Sequence, residues 1–116
     1  MKAYQILRCI FPEVLSDYFD IVDYKESSSR LDFWLDERNY QTKEDYKRGT
    51  VSSYGFTDEK IIQDFPIRGK AVYLHVRRRK WRDSSSGEIY TYSYENLTAN
   101  GSKLSSEFVD FLKEAH

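Results

Sequence analysis

Seven of the chain's 18 Lys and Arg, namely Arg68, Lys70, Arg77, Arg78, Arg79, Lys80 and Arg82, fall in the segment RGKAVYLHVRRRKWR, which holds no Asp or Glu. Guanidinium and ammonium groups in such a run recognise phosphates, and the interleaved Tyr73 and Trp81 offer flat faces for a sugar or base. That chemistry is polyanion binding, most often of nucleic acid. In an extended chain Val72, Leu74 and Val76 fall on one side, and Tyr73, His75, Arg77, Arg79 and Trp81 on the other. Arg78, Lys80 and Arg82 continue the apolar side, so this end is basic on both faces and is expected to project past the core as a ribbon. Two plainer roles share the composition. Positive charge on an edge strand discourages aggregation, and the run could balance Asp32, Asp36, Glu37, Asp58, Glu59 and Asp64 in neighbouring segments.

Catalysis finds less support. Two-metal phosphoryl transfer needs convergent carboxylates. Asp64, Glu88 and Glu95, with Lys70 or Lys80 nearby, could form a nuclease set, but acids at hairpin ends commonly arise without one. His75 lies mid-strand without the Cys, Ser or Asp pattern that marks a nucleophile or metal site, and His116 is terminal. The lone Cys9 excludes an internal disulfide and a cysteine zinc cage, and the five glycines are too scattered to cradle a phosphate. The expectation is a chain with no catalytic residue, metal or cofactor. Its rivals are a protein-interaction module anchored by Trp34 and Trp81, and a small metal-dependent nuclease.

The elements that must hold these residues fit one domain spanning 1–116. Ten Tyr, seven Phe and two Trp argue for a folded core, despite 32% charged residues. The basic segment carries +7, while residues 1–67 and 83–116 carry −4 each, so the overall −1 conceals a polarised chain. No apolar run reaches membrane-span length and no signal-peptide pattern opens the sequence, so a soluble, cytoplasmic protein without membrane contact is expected.

Tyr4, Leu7, Phe11, Val14, Leu15 and Tyr18 follow helical spacing interrupted by Pro12, predicting two short N-terminal helices. Phe19–Lys25 and Arg30–Glu37 predict a hairpin across Glu26-Ser27-Ser28-Ser29, with Leu31, Phe33 and Leu35 on its apolar face. Residues 38–49 read as a flexible loop. Thr50–Phe56 and Lys60–Phe65 then pair across Thr57-Asp58-Glu59, and Pro66-Ile67-Arg68-Gly69 turns the chain. Lys70–Arg82 is the longest strand, Ile89–Tyr94 returns, and Leu104, Phe108, Phe111 and Leu112 mark a C-terminal helix. The class is α+β: short N-terminal helices, about five to six antiparallel, ribbon-like strands and a closing helix.

Asp64-Phe65-Pro66-Ile67-Arg68-Gly69-Lys70, followed by Val72 to Trp81 with its Arg77-Arg78-Arg79-Lys80 end, resembles the hairpin near the N-terminus of bacterial insertion-sequence transposases. The leading ILRCIFPEVLSDYFDIVDYKE and the stretch from Gly101 to Ala115 resemble a compact subgroup in which this region is a separate short protein. The resemblance implies a noncatalytic accessory region that binds DNA at element ends, beside a separate DDE-type catalytic transposase. On that reading Arg68, Lys70, Arg77, Arg78, Arg79, Lys80 and Arg82 meet phosphates, and Tyr73 and Trp81 stack. Zinc-ribbon relatives flank the hairpin with two Cys pairs. This chain has no cysteine around Ser52–Phe56 and reads Asp83-Ser84-Ser85-Ser86-Gly87-Glu88 downstream, so no zinc is expected and Tyr54, Phe56, Tyr90, Tyr92 and Tyr94 would hold the hairpin by packing.

Overall fold

The computed structural model describes residues 18–93 and 106–113. The expected N-terminal helices, Tyr94, Glu95 and Leu104 lie outside them. The order is β1 (Phe19–Glu26), β2 (Arg30–Glu37), α1 (Lys43–Arg48), β3 (Val51–Phe56), β4 (Lys60–Ile67), β5 (Lys70–Arg77), β6 (Arg79–Asp83), β7 (Ile89–Tyr90) and α2 (Ser106–Lys113). The chain is strand-rich α+β with short helices.

Four strands form one sheet in the order β1-β2-β5-β4, and three form a second in the order β3-β6-β7. The β1–β2 hairpin falls where the sequence puts it, Phe19 opposite Glu37 and Glu26 opposite Leu31. Its neighbour β5 runs parallel to β2, Arg30 beside Ala71 and Asp36 beside Arg77, so the sheet is mixed and not wholly antiparallel. A parallel pair needs a long crossover, here α1, β3 and β4. The alternation holds through this centre. Leu31, Phe33, Leu35, Val72, Leu74 and Val76 are buried together with Ile62, Phe111 and Leu112, and α2 packs on β4. The opposite face carries Arg30, Asp32, Trp34 and Asp36 beside Tyr73, His75 and Arg77.

Four further expectations are corrected. The expected β3–β4 hairpin does not form: β3 pairs with β6, Val51 opposite Asp83, and β4 pairs with β5. The turn before β5 is Ile67–Lys70, not Pro66–Gly69, because Ile67 and Lys70 are paired and both central residues have left-handed φ, 51° at Arg68 and 77° at Gly69. That is the twist-matched two-residue hairpin, and it leaves Pro66 at a register shift in β4, where its missing N–H is tolerated. Residues 43–48 form a helix inside the expected loop. Thr42 caps it by accepting from the Asp45 N–H, and Gly49, at φ 72°, closes it with its N–H on the Asp45 carbonyl.

The fourth correction concerns the long basic strand. It breaks at Arg78 and passes from one sheet to the other, joining β3 and β7 instead of projecting. Thr57 holds the break: its N–H donates to the Arg78 carbonyl at 2.8 Å and its Oγ1 accepts from the Arg78 N–H at 3.0 Å.

Candidate nucleic-acid interface

The break divides the basic run into residues used inside the fold and residues left on its surface. Arg78 continues the row of Val72, Leu74 and Val76, and it is fully buried with them. Its guanidinium lies 5.7 Å from the Phe111 ring centroid, and Nη1 donates to the Phe111 carbonyl at 3.5 Å. Trp81 is 1% exposed and packs on Tyr92 at 5.4 Å. Neither side chain can reach a nucleic acid in this fold.

Arg77 is bidentate on Asp36, at 2.8 Å from Nε and 2.5 Å from Nη2. The Arg77 and Arg79 guanidiniums lie 4.4 and 4.5 Å from the Phe56 ring centroid, and Arg79 also donates to Ser53 Oγ. Lys70 pairs with Glu26 at 2.8 Å, and Tyr73 carries the Arg30 guanidinium 3.9 Å from its centroid. Three cations remain available at the surface. Arg68 is exposed at the β4–β5 turn, while Lys80 and Arg82 flank the half-exposed Tyr54 ring at 5.6 and 5.7 Å. Arg82 stands between Ser52 and Ile89 in register, so these groups occupy the outer face of the small sheet.

Sequence reading missed the site around His75. Parallel pairing sets Trp34 beside His75, their rings stacked at 4.3 Å and 18°. His75 Nε2 lies 2.7 Å from Asp32 Oδ1, and Nδ1 lies 3.0 Å from Glu59 Oε2. Arg30 grips both oxygens of Asp32, at 2.7 and 2.6 Å. This clamp, opposed by desolvation and aided by His75, holds the Asp32 carboxyl down at about 2. With both ring nitrogens engaged, the cluster ties β5 to β2 through Asp32 and to the Glu59 segment before β4. The signal that could have found it is the in-phase alternation of Asp32-Phe33-Trp34 with Tyr73-Leu74-His75, had the parallel pairing been known.

A second polar cluster docks α1. Asp45 accepts from Tyr90 and Tyr92 hydroxyls at 2.6 and 2.7 Å and from Arg48 at 2.5 Å. Burial first, then the Asp45 hydrogen bond, pushes the Tyr92 hydroxyl up to about 12 and the Tyr90 hydroxyl up as well.

Among the described residues no group of His, Cys, Asp and Glu is arranged to hold a metal ion. Asp64 belongs to β4 in the four-stranded sheet, whereas Glu88 precedes β7 in the other, so the imagined carboxylate set does not share a sheet. No helix among the described residues is long and apolar enough to cross a membrane. Compared with known proteins, the chain matches no family model, no curated protein and no solved structure.

Proposed function

We propose that this chain is a noncatalytic nucleic-acid-binding module, the N-terminal or accessory region of an insertion-sequence transposase whose catalysis belongs to a separate DDE-type chain. The observation that carries the binding reading is the outer face of β3 and β6, where Lys80 and Arg82 flank the half-exposed ring of Tyr54. Two cations beside an aromatic ring fit a phosphate backbone with a sugar or base against the ring. Arg68 at the hairpin turn is the third contact. The transposition context comes from the resemblance of Asp64 to Trp81 and its flanks.

The test is fluorescence anisotropy of the full chain with labelled duplex, an element-end sequence against a scrambled one, across a salt series. The double variant Lys80→Ala/Arg82→Ala is expected to weaken binding of both duplexes by about tenfold or more and to flatten the salt dependence. Wild-type affinity in that variant would overturn the assignment. A protein-docking reading draws on Tyr46, 78% exposed on α1, and the adjoining Tyr40, which line an open cleft over residues 39–47. Co-purification with the catalytic transposase in the absence of DNA, lost on Tyr46→Ala, would favour it.

A further inference from the structure

We infer that the cleft beside Trp34, on the face of the four-stranded sheet that carries Arg30, Asp32 and His75, is a binding site for an unpaired nucleotide. The inference rests on residues separate from the β3–β6 face, so it stands or falls independently of the duplex contact. The cleft measures about 330 Å³ and is lined by Lys25, Ser27, Arg30, Asp32 and Trp34. Its walls therefore come from β1, the β1–β2 turn and β2.

The geometry follows from strand register. Trp34 and His75 are partners on adjacent parallel strands, and their ring separation of 4.3 Å is close to the spacing of the strands themselves. The two rings thus stand on edge over the sheet, face to face. His75 covers one face of Trp34, and the other looks toward β1, where its register partner is Asp23. That short carboxylate is turned to its own backbone and accepts from the Tyr24 N–H at 2.8 Å. A planar ring entering there would extend the stack from His75 through Trp34.

Charge selects what enters. Asp32 is already claimed by Arg30 on both oxygens and by His75 on one. Lys25 has no ion-pair partner among the described residues, and Arg30 keeps Nη1 outside its carboxylate fork. The side chains lining the cleft set two cations, Lys25 and Arg30, against the one carboxylate of Asp32, with Asp23 at the β1 edge beside Trp34, so the fitting ligand is an aromatic ring whose anionic group lies at the Lys25 and Arg30 end. A nucleobase joined to its phosphate has that chemistry, with the base against Trp34 and the phosphate toward Lys25 and Arg30. A base paired inside a duplex has both faces covered and cannot enter, so the site selects single strand.

The chain supplies its own reporter. Of its two tryptophans Trp81 is 1% exposed, so emission that a ligand can quench belongs to Trp34. The full chain is titrated with a short oligothymidylate, with thymidine monophosphate and with duplex. The expected result is saturable quenching by the oligothymidylate, about tenfold tighter than by duplex, in keeping with base stacking on an aromatic ring. Lys25→Glu, at an exposed position away from the core, is expected to weaken it about tenfold by reversing charge at the rim, and Lys80→Ala/Arg82→Ala to leave it unchanged. Equal affinity for thymidine monophosphate would keep the site and assign it to a free nucleotide in place of a strand. Quenching that never saturates, or an unchanged affinity in Lys25→Glu, overturns the inference. Loss of the quench in Lys80→Ala/Arg82→Ala also overturns it, since binding would then belong to the other face.

Discussion

Arg78 shows how residue type and residue environment part company. Its place on the strand's apolar side follows from period-two alternation, but its burial follows from α2, whose Phe111 covers it. Truncation should therefore act on stability. Arg78→Ala is expected to lose about 2 to 4 kcal/mol, as other large buried side chains do, whereas exposed Arg82→Ala should stay within about 0.5 kcal/mol. Urea denaturation of both variants checks this, and equal midpoints would refute it. Asp32 gives a pH test. Its carboxyl titrates at about 2 in the fold against an ordinary 3.8, so its stabilising contribution is complete above the unfolded value and fades as pH falls from about 4 toward 2. Because Arg30 is partly exposed and screened by solvent, that contribution is about 1 to 2 kcal/mol. Wild type should lose this much relative to Asp32→Asn between neutral pH and pH about 2; parallel stability curves would exclude the clamp.

The elements were legible wherever local pattern decides and illegible wherever distant pairing does. Leu31-Phe33-Leu35 and Val72-Leu74-Val76 each declare a buried face, and the β1–β2 hairpin declares itself through its serine turn. Nothing local says that β2 and β5 run parallel, or that β3 skips β4 to reach β6. Nor does Arg77-Arg78-Arg79 contain a Gly or Pro to announce a break, because Thr57, a partner distant in sequence, fixes it. The Trp34–His75 site depends on that parallel pairing and was hidden with it. The Arg68-Gly69 turn yields a prediction with two readouts. Arg68→Asn relieves a positive φ that Asn tolerates, so it should stabilise the hairpin by a few tenths of a kcal/mol while weakening DNA binding. A destabilised variant would refute the turn, and undiminished binding would remove Arg68 from the interface. The docking of α1 should loosen in alkali. Tyr90 and Tyr92 hold their protons above the ordinary value of 10, so their contribution is present below pH 10 and is lost as pH rises above it, through about 12 for Tyr92 and higher for Tyr90. Asp45→Asn should blunt that loss, read as the pH dependence of thermal unfolding.

At the scale of the molecule, the question is how much of the +7 segment acts outward. Asp36 neutralises Arg77, Glu26 neutralises Lys70, and Arg78 is buried, while Arg79 is held against Phe56 and Ser53. The polarity seen in sequence is largely spent between strands, so long-range attraction toward a polyanion is weaker than the raw charge suggests. Counterion release turns this into a number. Were all seven cations on phosphates, the logarithm of affinity would fall with the logarithm of salt at a slope of about −6; with Arg68, Lys80 and Arg82 alone the slope is about −3. Anisotropy titrations with duplex across salt concentration measure it directly. A slope near −3, reduced by about 1 in each of Arg68→Ala, Lys80→Ala and Arg82→Ala, is the expected outcome. A slope near −6 would require Arg77, Lys70 and Arg79 to leave their partners and Arg78 to leave the core on binding, breaking the ion pairs that join β1, β2 and β5. Binding of that kind would rearrange the four-stranded sheet, whereas a slope near −3 leaves the sheet intact beside the outer face of β3 and β6.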